Sequence, residues 1–276
     1  MIFSIRNMML AVTAGILNLS TAAQATTVEV EVTNLFAPGG LAMTPVWVGF
    51  HDGSFDSFDS GTAASASVQA LAERGDASGV SADFNSISGG VQGVVAAPSG
   101  FPGAPVFEPG EVSSALFNIT AATNGYLSFL SMLIPTNDAF IGNDDAMAYS
   151  LFDSQGNFQA LDILVIGGNV WDAGTEANIG YDSPFLIGAG GMSRQDEGSV
   201  IGVHGGLATL PGGFSIFGGD TPAGYSIAQA AADFTAQGFE VARIRVSQVS
   251  SPAAFGLMGL GLFGVMALSR RKRLLA

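Results

Sequence analysis

Residues 28–32 read Val-Glu-Val-Glu-Val, a strict alternation of apolar and charged side chains. Successive side chains of a β-strand point to opposite faces of the sheet, so a period of two is typical of a strand with one buried face. Arg243-Ile244-Arg245-Val246 alternates in the same way towards the C-terminus. The two segments predict half-buried strands near both ends of one folded region.

Further short runs of β-prone residues occur along the chain, separated by connections rich in glycine and proline, and the last of them includes the segment 243–246. They occupy residues 46–50, 113–120, 126–134, 146–152, 161–166, 198–204 and 242–249. Helical spacing predicts one helix over residues 63–74, ended by Gly75, and residues 226–234 are a second candidate. Residues 78–109 are expected to form a loop, and the whole pattern predicts one all-β sandwich domain over residues 26–250.

The first 25 residues are expected to be a secretory signal peptide. Arg6 is the only charge before an apolar run over residues 8–19, and Ala23-Gln24-Ala25 gives the small-x-small pattern of a cleavage site. A signal helix therefore precedes a mature protein that begins near Thr26. The alternative is a buried N-terminal helix.

Residues 251–276 join an uncharged, glycine-rich apolar run to the basic cluster Arg270-Arg271-Lys272-Arg273. This order predicts a short apolar membrane helix with its basic end in the cytoplasm. The tail resembles the PEP-CTERM sorting signals of Gram-negative bacteria, with Ser250-Ser251-Pro252 where the commonest form has Pro-Glu-Pro. The resemblance implies cleavage near Pro252 and release at the outer cell surface or into an extracellular matrix. A membrane anchor that is kept is the alternative.

The charge of the chain is distributed unevenly. All 23 acidic residues lie between Glu29 and Glu240, whereas five of the nine basic residues lie in the two terminal segments. Residues 26–250 therefore carry a net charge of −19. Such a domain repels phosphate backbones, which excludes nucleic acid as a partner and favours divalent cations. General acidity for solubility is the other interpretation.

The chain has no cysteine and only two histidines, His51 and His204. Disulfides and thiolate chemistry are therefore excluded, and zinc or copper sites are poor candidates. No Gly-x-Ser-x-Gly elbow precedes a helix, so both histidines are expected to be structural.

Acidic residues follow several of the predicted strands. Asp138 comes after the run 126–134, Asp144 and Asp145 follow in the same loop, and Asp172 and Glu176 come after the run 161–166. Loops at one end of a sandwich converge, and carboxylates brought together repel each other unless a cation neutralises them. Calcium accepts about six to eight oxygen ligands in loose geometry. The alternative is that these are turn residues, which bond their own backbone.

Five segments in order give the region from Val32 to Gly206 a resemblance to the spondin domain of animal extracellular-matrix proteins. They are Val32-Thr33-Asn34, residues 51–56 with 71–75, residues 131–140 (Ser-Met-Leu-Ile-Pro-Thr-Asn-Asp-Ala-Phe), residues 171–178 (Trp-Asp-Ala-Gly-Thr-Glu-Ala-Asn), and Val203-His204-Gly205-Gly206. The resemblance implies an antiparallel, eight-stranded, C2-like β-sandwich with one or two short helices. It also implies a calcium ion, Ca²⁺, at one loop end, held by Asp138, Asp172 and Glu176. The last position is Asp in the animal members.

These inferences indicate a secreted or surface-displayed calcium-binding protein rather than an enzyme. Its role would be structural, adhesive or ligand-binding, with matrix protein or surface polysaccharide as candidate partners and membrane contact only through the tail. One alternative is an extracellular glycoside hydrolase that uses Asp172 and Glu176 as its carboxylate pair. Another is a lectin-like binder that uses aromatic side chains.

Overall fold

Two antiparallel β-sheets form the body of the molecule, and short helices lie in the connections between strands. The computed structural model describes residues 25–98, 105–189, 194–207 and 215–249. Side chains from both sheets enclose one large apolar core, and the predicted all-β sandwich is confirmed. The signal peptide and the tail lie outside the described residues, except for residue 25. Within the described ranges, no helix has the length and apolar character needed to cross a bilayer.

The described residues contain eleven strands and three α-helices. The strands are β1 (Thr26–Asn34), β2 (Ala42–Met43), β3 (Val46–His51), β4 (Val91–Val95), β5 (Val112–Ile119), β6 (Tyr126–Ile134), β7 (Ala139–Gly142), β8 (Leu161–Ile166), β9 (Val170–Asp172), β10 (Gly202–Val203) and β11 (Glu240–Gln248). The helices are α1 (Ala66–Arg74), α2 (Ser78–Phe84) and α3 (Gln229–Ala232), with a 3-10 turn over Gly167–Asn169. The first sheet has the order β5-β1-β11-β8. The second has the order β10-β9-β7-β6-β3-β4, with β2 also paired to β6. The count exceeds the expected eight because several strands hold only two or three residues.

The two alternating segments are neighbours in the first sheet. β1 pairs with β11 so that Val30 lies opposite Val246 and Glu31 lies opposite Arg245. Both valines are buried, while Arg245 Nη1 lies 3.3 Å from Glu31 Oε1 on the outer face. The period of two therefore identified both strands and their buried face.

The second sheet is covered on both faces. Its central strand, β6, is apolar and almost completely buried, and α1 and α2 pack on the side away from the main core. Trp47 of β3 meets Phe84 of α2 edge to face, with ring centroids 5.4 Å apart, and Leu71 of α1 joins the same cluster. Burial on both faces explains why these strands read as continuous apolar runs rather than alternating ones.

The predicted helix over residues 63–74 is confirmed, but it begins at Ala66. Ser65 is the N-cap, and its Oγ accepts a hydrogen bond from Val68 N at 3.2 Å. A serine hydroxyl in this position satisfies one of the free N–H groups of the first turn. Gly75 ends the helix with φ +67°, as predicted.

Two other predictions are wrong. Residues 146–152 form no strand, because Asp145 Oδ1 accepts a hydrogen bond from Met147 N at 2.8 Å and the chain turns there. The region 78–109 contains α2 and β4 instead of a loop alone. Val80 and Phe84, four residues apart on α2, bury one helical face, a spacing hidden among small residues. The helix expected over residues 226–234 is present only as α3, and the strand expected over residues 198–204 is present only as β10.

Candidate functional site

The site lies where two neighbouring strands of the second sheet meet their loops. β7 pairs with β9 so that Ala139 lies opposite Asp172. Asp138 precedes β7 directly, and its carbonyl oxygen accepts a hydrogen bond from Ala173 N at 3.2 Å. The sheet register therefore brings Asp138 and Asp172 to the same rim.

The carboxylate of Asp138 is completely buried and only half satisfied. Its Oδ2 accepts hydrogen bonds from Thr175 N at 2.8 Å, Thr175 Oγ1 at 3.1 Å and Glu176 N at 3.0 Å. Its Oδ1 is buried and has no hydrogen-bond partner. Burial, and then the negative charge of Asp172, raise the pKa of Asp138 to about 7.

Asp172 shapes the loop that follows β9. Its Oδ1 accepts a hydrogen bond from Gly174 N at 2.7 Å, and its Oδ2 accepts one from Asn178 Nδ2 at 2.5 Å. Gly174 has φ +66°, and a Cβ there would lie 2.7 Å from Val200 O. Only glycine fits this position without strain, so the tight turn beside Asp172 depends on it.

A buried histidine holds Asp172 in position indirectly, through Asn178. His204 Nδ1 accepts a hydrogen bond from Gly206 N at 2.9 Å, which leaves the proton on Nε2. Nε2 lies 3.1 Å from Asn178 Oδ1 and donates to it, and Asn178 in turn donates to Asp172. Burial lowers the pKa of His204, while the charge of Asp172 opposes that change. The neutral imidazole therefore fixes Asn178, which fixes Asp172.

Asn137, which lies just before β7, holds the same loop in place through three hydrogen bonds. Its Nδ2 donates to Glu176 Oε1 at 2.8 Å and to Tyr181 O at 2.7 Å, and its Oδ1 accepts from Gly180 N at 2.9 Å. Glu176 is only 3% exposed, and burial raises the pKa of its carboxyl group.

Arg194 links this loop to helix α1. Its Nη2 donates to Glu73 Oε1 at 2.5 Å, and its Nε lies 3.6 Å from Glu176 Oε2. Burial alone would raise the pKa of Glu73, but hydrogen bonds from Arg194 and from Gln69 outweigh it and lower that pKa. The rim thus holds the carboxylates of Glu73, Glu176, Asp138 and Asp172. Arg194 lies between Glu73 and Glu176, and Arg74 Nη1 lies 3.4 Å from Glu73 Oε2.

The three predicted calcium ligands occupy one rim, but their side chains differ in direction. Asp138 and Asp172 influence each other electrostatically, whereas the carboxylate of Glu176 contacts Asn137 and Arg194. Over the described ranges, no set of three or more histidine, aspartate or glutamate side chains is arranged to hold a metal ion. The ligand set of Asp138, Asp172 and Glu176 stays a prediction.

Other acidic residues from the same loop lie apart from these contacts. Asp144 Oδ1 accepts a hydrogen bond from Ser60 N at 2.6 Å. Asp144 and Asp145 border a separate cleft of about 300 Å³ that Tyr149 and Trp171 also line.

Sequence reasoning missed several residues that shape the site. Asn137 and Asn178 lie inside the matching segments, but nothing in those segments marks their amides as supports of a loop. Arg194 is one of only four basic residues in the acidic region, and an isolated cation in such a region is itself a signal. Glu73 also lies inside a matching segment, residues 71–75, but a glutamate in a helix gives no sign of a distant partner.

The molecule is thus an all-β sandwich with a buried acidic rim at one end of its second sheet. A family model described as Spondin_N matches residues 41–189, more than half of the chain. The chain belongs to the Spondin_N family, as its resemblance indicated. The match includes Glu73 and the three predicted ligands, while Arg194 lies beyond it. No curated protein matches the chain.

Proposed function

We propose that this protein is an exported spondin-domain module that binds calcium at the Asp138–Asp172 rim and has a structural or adhesive role outside the cell. The observation that carries the proposal is the second oxygen of Asp138. It is completely buried, it has no donor, and a second carboxylate lies close enough to raise its pKa. A buried carboxylate oxygen without a partner costs free energy, and a bound cation removes that cost.

The chemistry of the rim fits calcium. Asp138 and Asp172 offer carboxylate oxygens, and the loops around them offer backbone carbonyls, which are the ligands of this hard cation. The four carboxylates of the rim meet two guanidinium groups, those of Arg194 and Arg74, so the rim carries an excess of negative charge. Calcium would supply the missing positive charge and connect the loop before β7 with the loop after β9. Glu176 becomes a third ligand if its carboxylate leaves Arg194.

Thermal unfolding of the purified protein tests this proposal. A ligand that binds only the folded state at about 100 times its dissociation constant stabilises it by about 2.7 kcal/mol. For a domain of this size, that corresponds to a rise in Tm of roughly 5–10 °C. We expect this rise with calcium and its reversal with a chelator. A Tm that is the same with calcium and with chelator contradicts the proposal.

Export is supported by separate features of the chain. The spondin domain is typical of extracellular proteins, and residues 26–250 carry a net charge of −19, which favours solubility outside the cell. Residues 1–25 and 251–276 supply the signal peptide and the PEP-CTERM-like tail that would carry the protein to the outer surface of a Gram-negative cell. Mass spectrometry of the native protein tests this: we expect an N-terminus near Thr26 and a C-terminus near Pro252. A retained residue 1 contradicts export by this signal.

The positions of the carboxylates favour binding over glycoside hydrolysis. A hydrolase needs an acid and a base that reach the substrate. Glu176 is buried behind Asn137 and Arg194, and both oxygens of Asp172 accept hydrogen bonds from their own loop. The Spondin_N match adds no enzymatic activity to these residues.

A further inference from the structure

Arg194 makes unequal contacts with the carboxylates around it. Its bond to Glu73 is direct, with Nη2 2.5 Å from Oε1, and it also pairs with exposed Asp196. Its Nε, in contrast, is buried without a hydrogen-bond partner and lies 3.6 Å from Glu176 Oε2. Arg194 and Glu176 therefore form an ion pair that lacks a hydrogen bond.

Glu176 is held in place by its backbone more firmly than by its carboxylate. Its N–H donates to Asp138 Oδ2 at 3.0 Å, so the backbone is already fixed beside the buried aspartate. One carboxylate oxygen accepts a hydrogen bond from Asn137, and the other lies 3.6 Å from Arg194 Nε. A rotation of the side chain would separate that second oxygen from Arg194 without moving the backbone.

We propose that Arg194 is the resident cation of this rim and that it competes with calcium for Glu176. This inference rests on the proposed calcium site. Without calcium, the guanidinium partly neutralises the buried carboxylates and keeps Glu176 turned towards α1. When calcium binds, Glu176 leaves Arg194 for the ion, while the bond between Arg194 and Glu73 remains. Arg194 thus sets the calcium affinity, because each binding event must overcome its attraction for Glu176 and the repulsion between two cations.

The test compares a variant that removes the charge of Arg194 with one that keeps it. Arg194→Gln removes a positive charge that lies 3.6 Å from Glu176 and interacts electrostatically with Asp138, so we expect about tenfold tighter calcium binding, measured by isothermal titration calorimetry on the full chain. Arg194→Lys keeps the charge and is expected to bind calcium like the wild type. Arg243→Gln is the matched control, since it removes the same charge from the outer face of the first sheet, where Arg243 pairs with Asp162.

The outcomes separate this inference from the proposed function. Unchanged or weaker binding in Arg194→Gln, with normal binding in the wild type, overturns the competition and leaves the calcium site standing. No calcium binding in either protein contradicts the calcium site itself. Binding that is detected only in Arg194→Gln is the expected result in its strongest form.

A second measurement needs no variant and covers the case in which Arg194→Gln does not fold. The chain has only eight arginines, so the side-chain Nε–Hε signal of Arg194 is open to assignment by NMR. We expect this signal to shift on titration with calcium and to saturate together with heat release. A signal that stays in place while calcium binds overturns the inference.

Discussion

Asp138 and Asp172 lie at the same end of two neighbouring antiparallel strands, because the register of β7 and β9 sets Ala139 opposite Asp172. This relationship places a completely buried carboxylate with one unpartnered oxygen beside a second carboxylate. The arrangement is costly for an apoprotein, because two like charges share an environment poor in water. The cost of this arrangement and the proposed calcium binding can be measured separately.

The first prediction concerns Asp138→Asn without calcium. The amide oxygen replaces Oδ2 as acceptor for Thr175 and Glu176, and the substitution removes the buried charge. We therefore expect the free energy of unfolding in chelator to stay the same or to rise by up to about 2 kcal/mol. The rise in Tm on calcium addition should disappear.

Asp83→Asn is the control for this variant, because Asp83 is an exposed residue on α2. We expect it to keep both the wild-type stability and the calcium response. An Asp138→Asn protein that still gains the full calcium-dependent rise in Tm would show that the ion binds elsewhere.

The second prediction concerns the chain of hydrogen bonds from His204 through Asn178 to Asp172. Asn178→Ala leaves the buried Nε2–H of His204 and one oxygen of Asp172 without their partner. An unsatisfied buried polar group costs about 1–3 kcal/mol, so we expect a loss of that size in urea unfolding. Exposed Asn169 provides the control, Asn169→Ala, which should change stability by less than about 0.5 kcal/mol. Equal losses in both variants would mean that the hydrogen-bond chain contributes nothing of its own.

Much of the fold could be predicted because its causes are local. The alternation in residues 28–32 and 243–246 follows from one buried face, and Gly75 follows from the need of a helix end for a left-handed residue. Residues 78–109 were misassigned because α2 is short and is stabilised by its contacts with Trp47 rather than by its own sequence. Tertiary packing of this kind leaves little trace in a single segment.

The candidate site was predictable only in part. Asp138 and Asp172 follow apolar strands, which is visible in the sequence, and their proximity follows from how loops meet at a sheet end. The contact between Arg194 and Glu73 joins residues 121 positions apart. Neither a period nor a motif connects them, so this ion pair, and the 3.6 Å approach of Arg194 to Glu176, could not be inferred.

The third prediction concerns the turn beside Asp172. Gly174→Ala combines a left-handed backbone at φ +66° with a Cβ placed 2.7 Å from Val200 O. Gly110→Ala is the matched control, because Gly110 has φ +85° and open space around the position of a Cβ. We expect Gly174→Ala to lower the free energy of unfolding by about 1–3 kcal/mol more than Gly110→Ala does, and to weaken any calcium response. Equal effects in the two variants would indicate that backbone strain, and not the contact with Val200, makes Gly174 necessary.

The last prediction concerns pH and the buried histidine of β3. His51 Nδ1 accepts a hydrogen bond from Gly53 N at 3.1 Å, so the neutral ring donates from Nε2 to Ser128 Oγ at 3.0 Å. Burial lowers the pKa of His51 below its usual 6.5, and the charge of Asp52 offsets only part of this change. The unfolded chain therefore binds more protons than the folded one at mildly acid pH, and stability must fall as pH drops below about 6.5.

His51→Gln isolates this contribution, because the glutamine amide still offers a donor to Ser128 but does not titrate. We expect the wild type to lose more stability than His51→Gln between pH 7.5 and pH 5, measured by urea unfolding in chelator at about ten pH values. The difference should vanish above pH 7.5 apart from a constant offset for the lost bond to Gly53. Parallel pH profiles for the two proteins would show that His51 titrates alike in the folded and unfolded chains, and its burial would then have no pH-dependent cost.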